Sequence, residues 1–190
     1  MKIRLALIGA MAASAMLVTS AQTPDPGAAM LKSLDAKKDA YSAIAKQIWD
    51  FAELGFQESK SSTLLQKEIT AAGFQVEKGL ADMPTGFMAT WGSGKPVIAI
   101  IGEFDALPGL SQTAGESARK PVTDGAPGHG CGHNLFGTAS MAAAIAVKEW
   151  MQANHVTGTL RYYGTPAEEG GGGKYFMIRQ GFFRDVDVAV

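Results

Sequence analysis

Cys131 is the only cysteine of the chain, and two of its three histidines, His129 and His133, flank it. The run is Gly128-His129-Gly130-Cys131-Gly132-His133-Asn134. Glycines between the reactive residues leave little side chain to block the approach of backbone to an ion. A thiolate and a neutral imidazole are good ligands for first-row divalent metals, with zinc a natural occupant, and Cys-x-His spacing fits one ion. The run precedes an expected helix, whose N-terminal dipole favours a thiolate and lowers its pKa. Two other readings stay open from these residues alone. The cysteine can be an inert member of a glycine-rich turn with solvated histidines, or a nucleophile with His133 as its base.

A second motif is Gly164-Thr165-Pro166-Ala167-Glu168-Glu169, followed by four glycines. A surface carboxylate pair is most often only solvated charge. This pair follows an apolar run and a proline and precedes glycines, a setting that admits a substrate. Adjacent carboxylates in a loop can point differently, so one can hold a metal while its neighbour moves a proton. Like charges held close also push their pKa values apart. A third segment, Glu103-Phe104-Asp105-Ala106-Leu107-Pro108, carries two more carboxylates.

The elements expected around these loops come from periodicity. Ala28 to Leu54 reads as one helix, with Leu31, Leu34, Ile44, Ile48, Phe51 and Leu54 near one face. Ser61 to Ala72 reads as a second helix. Short extended segments are expected at residues 74–77 and 87–91. Val97 to Gly102 is a continuous apolar run, which suits a strand covered on both faces. A loop rich in glycine, proline, serine and threonine spans residues 106–128. Helix is expected over 137–154 and 174–180, and strand over 159–164 and 185–190. The alternation predicts an α/β layered domain with a central, largely parallel sheet flanked by helices. In such folds ligands gather at the carboxyl ends of strands, where all three motifs fall.

Composition excludes some function classes. The 17 basic and 18 acidic residues leave a formal net charge of -1, with no cationic surplus to neutralise phosphates, so no nucleic-acid partner is expected. A phosphate-binding loop fails at Gly173-Lys174, because Tyr175 stands where Ser or Thr is needed. No Cys-x-x-Cys, H-E-x-x-H or Gly-x-Ser-x-Gly occurs.

Met1 to Arg4 carries two positive charges, residues 5–18 are uncharged and largely apolar, and Thr19-Ser20-Ala21 supplies small residues. This layout predicts a signal peptide over residues 1–21, a linker over 22–30, and a secreted or periplasmic product. No other long apolar run follows, so no membrane partner is expected after cleavage.

Taken together, EFDALPGLSQ (residues 103–112), PGHGCGHNLFGTA (127–139) and GTPAEEGGGGK (164–174) resemble the M20 metallopeptidase and amidohydrolase family, in its acyl-amino-acid amidohydrolase branch. The resemblance covers about residues 31–190. It implies a zinc-peptidase-like domain holding two divalent ions, zinc or manganese. By matching position it implies Cys131, His133 and Glu169 as metal ligands. Glu168 would be the general base, and Asp105 would orient a ligand from behind. His129 matches a family histidine without an assigned role. Where many members have His-x-Asp, this chain reads Glu103-Phe104-Asp105, and Asn134 stands where much of the branch has Asp.

The implied activity is metal-dependent hydrolysis of the amide of N-acyl or N-aroyl amino acids, of the aminobenzoyl-glutamate kind, or of small dipeptides. The family's further ligand histidines and its dimerisation domain match nothing in this sequence. The expectation is therefore the N-terminal part of the catalytic domain, incomplete at its C-terminus and inactive alone, whose full form is a homodimer or hetero-oligomer. A cysteine hydrolase using Cys131, and a non-catalytic metal- or peptide-binding fragment, are the alternatives.

Overall fold

The computed structural model describes residues 25–190, so the expected signal peptide lies outside the described residues. Helix α1 (Pro26–Ala36) opens the chain. Pro26 suits a first helical turn, where its missing N–H is not needed. The helix expected from Ala28 thus begins two residues earlier, at Pro26. Lys37 leaves helical geometry (φ -111°, ψ 8°), and α2 (Lys38–Phe51) follows. The expected single helix is thus two. No glycine or proline marks the break. It lets α1, which buries no residue, dock on α4, where Ser33 Oγ donates to Glu149 at 2.6 Å and Lys37 pairs with the same carboxylate.

Next come α3 (Ser59–Ala71), β1 (Gln75–Lys78), a single 3-10 turn (Leu80–Asp82), β2 (Phe87–Ser93) and β3 (Val97–Glu103). After the long loop come α4 (His133–Ala153), β4 (Gly158–Thr165), α5 (Gly173–Gln180) and β5 (Val188–Ala189). The strand order is β1-β2-β4-β3-β5. β4, β3 and β5 run parallel, while β2 pairs antiparallel with β1 and with β4. The α/β layered class stands, and the sheet is mixed: the crossover through α4 gives β3 and β4 their common direction. β2 reaches β4 from the other side, through Phe87↔Gly164 to Ser93↔Gly158.

Both faces of the sheet are covered. On one, Ile44 and Ile48 of α2, Leu65 and Ile69 of α3 and Met141 of α4 pack with Phe87, Leu160 and Tyr162. On the other, Leu80, Met83 and Met177 pack with Ala99 and Tyr163. Each fully buried aliphatic side chain contributes about 1.5–3 kcal/mol. Covering both faces explains why β3 is apolar along its length. Among the described residues no helix is long and apolar enough to cross a membrane.

Candidate metal centre

The three motifs meet at the carboxyl ends of β3 and β4. β3 ends at Glu103, and the chain then buries Phe104 and Asp105. His133 is the first residue of α4. The close approach of that helix to β3 depends on Gly137, where a Cβ would lie 2.4 Å from the Glu103 carbonyl oxygen. Tyr162 fixes the same turn by donating to the Gly137 carbonyl at 3.0 Å. Glu168 and Glu169 follow β4 directly, after Pro166 and Ala167.

Asp105 organises the cluster. Its Oδ1 lies 2.9 Å from His133 Nδ1, and its Oδ2 accepts the Glu169 backbone N–H at 2.9 Å. A carboxylate only accepts here, so Nδ1 carries the proton and His133 Nε2 faces the cluster. Nε2 lies 3.0 Å from Glu103 Oε2, 3.7 Å from Glu168 Oε2 and 4.0 Å from Glu169 Oε1. Lys174, at the start of α5, pairs with the other oxygen of Glu103. Donor atoms of Cys131, His133 and Glu169 all lie within 4.8 Å of one another, and so do those of Glu103, His133 and Glu168.

Electrostatics follow from this packing. Burial opposes ionisation of Asp105, but hydrogen bonds from His133 and the Glu169 amide outweigh it and hold the carboxyl below its ordinary range. The same Asp105 hydrogen bond raises the His133 pKa. Desolvation, then the Glu169 carboxylate with Glu168 and Glu103 behind it, push the Cys131 thiol up. The direction is opposite to the sequence argument for a lowered thiol pKa, because desolvation and three neighbouring carboxylates all oppose the thiolate.

The donor set suits a divalent ion. It offers a thiol, an imidazole nitrogen whose partner nitrogen is fixed, and Glu169 Oε1, a buried oxygen with no hydrogen-bond partner. Three protein donors is the number that leaves a coordination position open. Buried polar atoms are nearly always partnered, so an orphaned carboxylate oxygen beside Cys131 and His133 is the atom that an ion would satisfy.

His129 stands outside both donor clusters. Its Nε2 donates to the Ile48 carbonyl at 3.0 Å, and Asn134 Nδ2 donates to the Ala45 carbonyl at 3.2 Å. Together they tie the Cys131 loop to α2. Burial lowers the His129 pKa and keeps the ring neutral. Sequence reasoning singled out neither Glu103 nor Lys174 as part of the cluster. Glu103 drew notice there only as one carboxylate of its motif and for the histidine it replaces. The available signal was its position at the last residue of an apolar strand.

Comparison with known proteins agrees with this geometry. The profile of Peptidase family M20/M25/M40 matches residues 99–190. A p-aminobenzoyl-glutamate hydrolase component from Escherichia coli (strain K12) is 51% identical over 158 residues, covering 83% of this chain and 33% of that protein. The Xaa-Arg dipeptidase of Homo sapiens is 30% identical over 172 residues, covering 82% of this chain and 35% of its own length. The chain thus spans about a third of the length of these relatives. Among solved structures, the Bacillus subtilis YXEP protein, described as a dinuclear metal binding peptidase from the M20 family, superposes with a TM-score of 0.63. It is 24% identical, and the match covers 82% of this chain and 42% of that one.

Proposed function

The chain belongs to Peptidase family M20/M25/M40, and from that premise we propose that it supplies the metal-holding and proton-transferring part of an amide hydrolase. Its substrates would be N-acyl or N-aroyl amino acids, such as p-aminobenzoyl-glutamate, or small dipeptides, as the names of its relatives support. The observation that carries the reading is the meeting of Cys131, His133 and Glu169 with Glu168 beside them.

Cys131, His133 and Glu169 would hold the ion, and the thiol gives up its proton on binding. Thiolate and imidazole donors favour zinc, with manganese the alternative that the motif resemblance implies together with a second ion. A divalent ion there supplies Lewis acidity, which polarises a carbonyl and acidifies water. Asp105 keeps His133 in the tautomer that presents Nε2. Glu168 is 40% exposed, so its carboxylate reaches solvent beside His133, where it can take a proton from water and return it to the leaving amine. Lys174 offsets one negative charge by pairing with Glu103.

The cysteine-nucleophile alternative loses ground to the same geometry. A nucleophilic thiol needs a lowered pKa, and desolvation together with the carboxylates around Cys131 raises it.

The test is hydrolysis of p-aminobenzoyl-glutamate by the full-length protein before and after chelation. Activity should vanish with EDTA and return with zinc or manganese. Glu168→Gln should lower kcat by about 10²- to 10⁴-fold with metal content intact. Unchanged turnover in that variant removes Glu168 as the base. Activity that survives EDTA and dies on alkylation assigns Cys131 as nucleophile instead. Export is part of the proposal, supported by the layout of residues 1–21. Sequencing the N-terminus of the exported protein checks it, with Gln22 expected first. Assembly into an oligomer is supported by the Escherichia coli relative, whose name marks it as one component of a multi-chain hydrolase, and sedimentation of the protein tests it.

A further inference from the structure

Glu58 is wholly buried, yet it takes no part in the donor clusters. It stands at the N-terminal boundary of α3 without capping that helix. Glu53 caps it instead, accepting from the amides of Lys60 at 3.0 Å and Ser61 at 2.8 Å. The Glu58 carboxylate turns inward. One oxygen accepts from Thr85 Oγ1 at 2.9 Å, and the other accepts the Ala167 backbone N–H at 2.8 Å. Its partners are hydrogen-bond donors rather than cations, and burial raises its pKa. Burying a carboxyl without a counter-charge is costly, so a fold that retains one gains something in placement.

What it places is Ala167, the residue before Glu168. Ala167 has φ 54°, a left-handed conformation unusual for a side chain with a Cβ. Its amide is held by Glu58, and its carbonyl accepts from the Gly171 N–H at 3.1 Å. From the far side it is packed so closely that a Cβ on Gly55 would lie 2.8 Å from the Ala167 Cβ. Glu169, on the other flank of Glu168, is anchored through its amide to Asp105. Two buried carboxylates from distant parts of the chain therefore hold the backbone on either side of Glu168, while its side chain stays free.

We propose that Glu58 is a positioning residue: by accepting the Ala167 amide it fixes the left-handed turn that aims Glu168 toward His133. The inference rests on Glu168 being the proton-transferring group. Strain of this kind persists only where the surroundings over-determine it, and Glu58 and Gly55 are those surroundings. A misplacement of about 1 Å in a reacting group can cost on the order of 10²-fold in rate.

The experiment compares wild type, Glu58→Gln, Glu58→Leu and Gly55→Ala by hydrogen exchange and by kinetics on p-aminobenzoyl-glutamate. In Glu58→Gln the new side-chain amide can still accept from Ala167 and can donate to the Thr85 oxygen, so this conservative variant should behave as wild type. In Glu58→Leu, exchange within residues 165–171, at the amides from Ala167 to Gly171, should rise by about tenfold or more while β3 and β4 stay as before. Its kcat should fall by roughly 10- to 100-fold with KM little changed. If the Leu variant does not fold, Gly55→Ala, which crowds Ala167, must show the same local rise. Exchange that rises evenly over the whole molecule, or a 165–171 segment untouched in both variants, overturns the proposal. A full-length wild type that does not turn over removes the hydrolase reading, and the exchange pattern still decides the positioning of the turn.

Discussion

Two aspartates in this fold do nearly the same thing in different surroundings. Asp105 accepts from His133 and from the backbone amide of Glu169, fastening the loop after β4 to the end of β3. Asp187 accepts from Lys95 at 3.0 Å and from the backbone amide of Val97 at 2.7 Å, fastening the segment before β5 to the start of β3. Beside it Arg161 grips Asp185 with two bonds, at 2.7 and 2.6 Å. Asp105 is 1% exposed, while the Asp187 side chain is 40% exposed. Water can replace a partner lost at Asp187 and cannot reach Asp105. Buried, the same bonds become expensive to break and specific in what they orient.

The largest expected difference comes from deleting Asp105. Asp105→Ala leaves the Glu169 amide without its acceptor and the buried Nδ1–H of His133 with only the Asp105 backbone carbonyl, at 3.1 Å. It should cost about 3–5 kcal/mol in urea unfolding and weaken zinc binding about 10- to 100-fold in titration. A cost comparable to that of removing an exposed pair would erase the distinction between the two clusters.

A pH series sharpens the contrast. In the metal-free protein the His133 pKa is raised above 6.5, first by its Asp105 hydrogen bond. Stability from that shift is complete below about pH 6.5 and is lost as pH rises through the folded value. Asp105, held below 3.8, contributes stability above that pH and loses it as pH falls. Zinc reverses the upper slope, because binding needs a deprotonated Nε2 and a deprotonated Cys131. Melting temperature from about pH 5 to about pH 8 should therefore fall in EDTA and hold or rise in excess zinc. Equal slopes in the two series would mean that His133 does not bind the ion. Cys131→Ser should abolish the zinc-dependent gain and leave the EDTA curve unchanged, since the thiol is exposed.

How much of this was readable in advance depends on range. The residues 97–102 announced a strand covered on both faces because an apolar run reports its own burial, and the two packed clusters cover it. Cys131, His133, Glu168 and Glu169 stood out because glycines and strand ends frame them locally. The break at Lys37 carries no local mark, since it follows from docking against Glu149, 112 residues away. The antiparallel insertion of β2 beside β4 is set by pairing, not by composition. Glu58 carries no local signal, and only its contact with Ala167, 109 residues on, gives it meaning. Side chains whose work is done across the fold are silent in a single sequence.

The smallest predicted effect lies in the exposed cluster. Asp185 is held well below the ordinary carboxylate range by the Arg161 guanidinium, yet its side chain is 56% exposed. The pair gains Coulomb energy in a high-dielectric setting and loses side-chain entropy in holding one geometry. Asp185→Asn should therefore cost only about 0.2–1 kcal/mol. The difference from wild type should shrink further in about 1 M salt, where the Debye length is near 3 Å. The Asp105→Ala cost should hardly respond to the same salt, because the hydrogen bonds it breaks are buried. Urea midpoints of both variants at low and high salt give four numbers that separate screening from burial. Two variants responding alike would show that distance from solvent is not what divides the clusters.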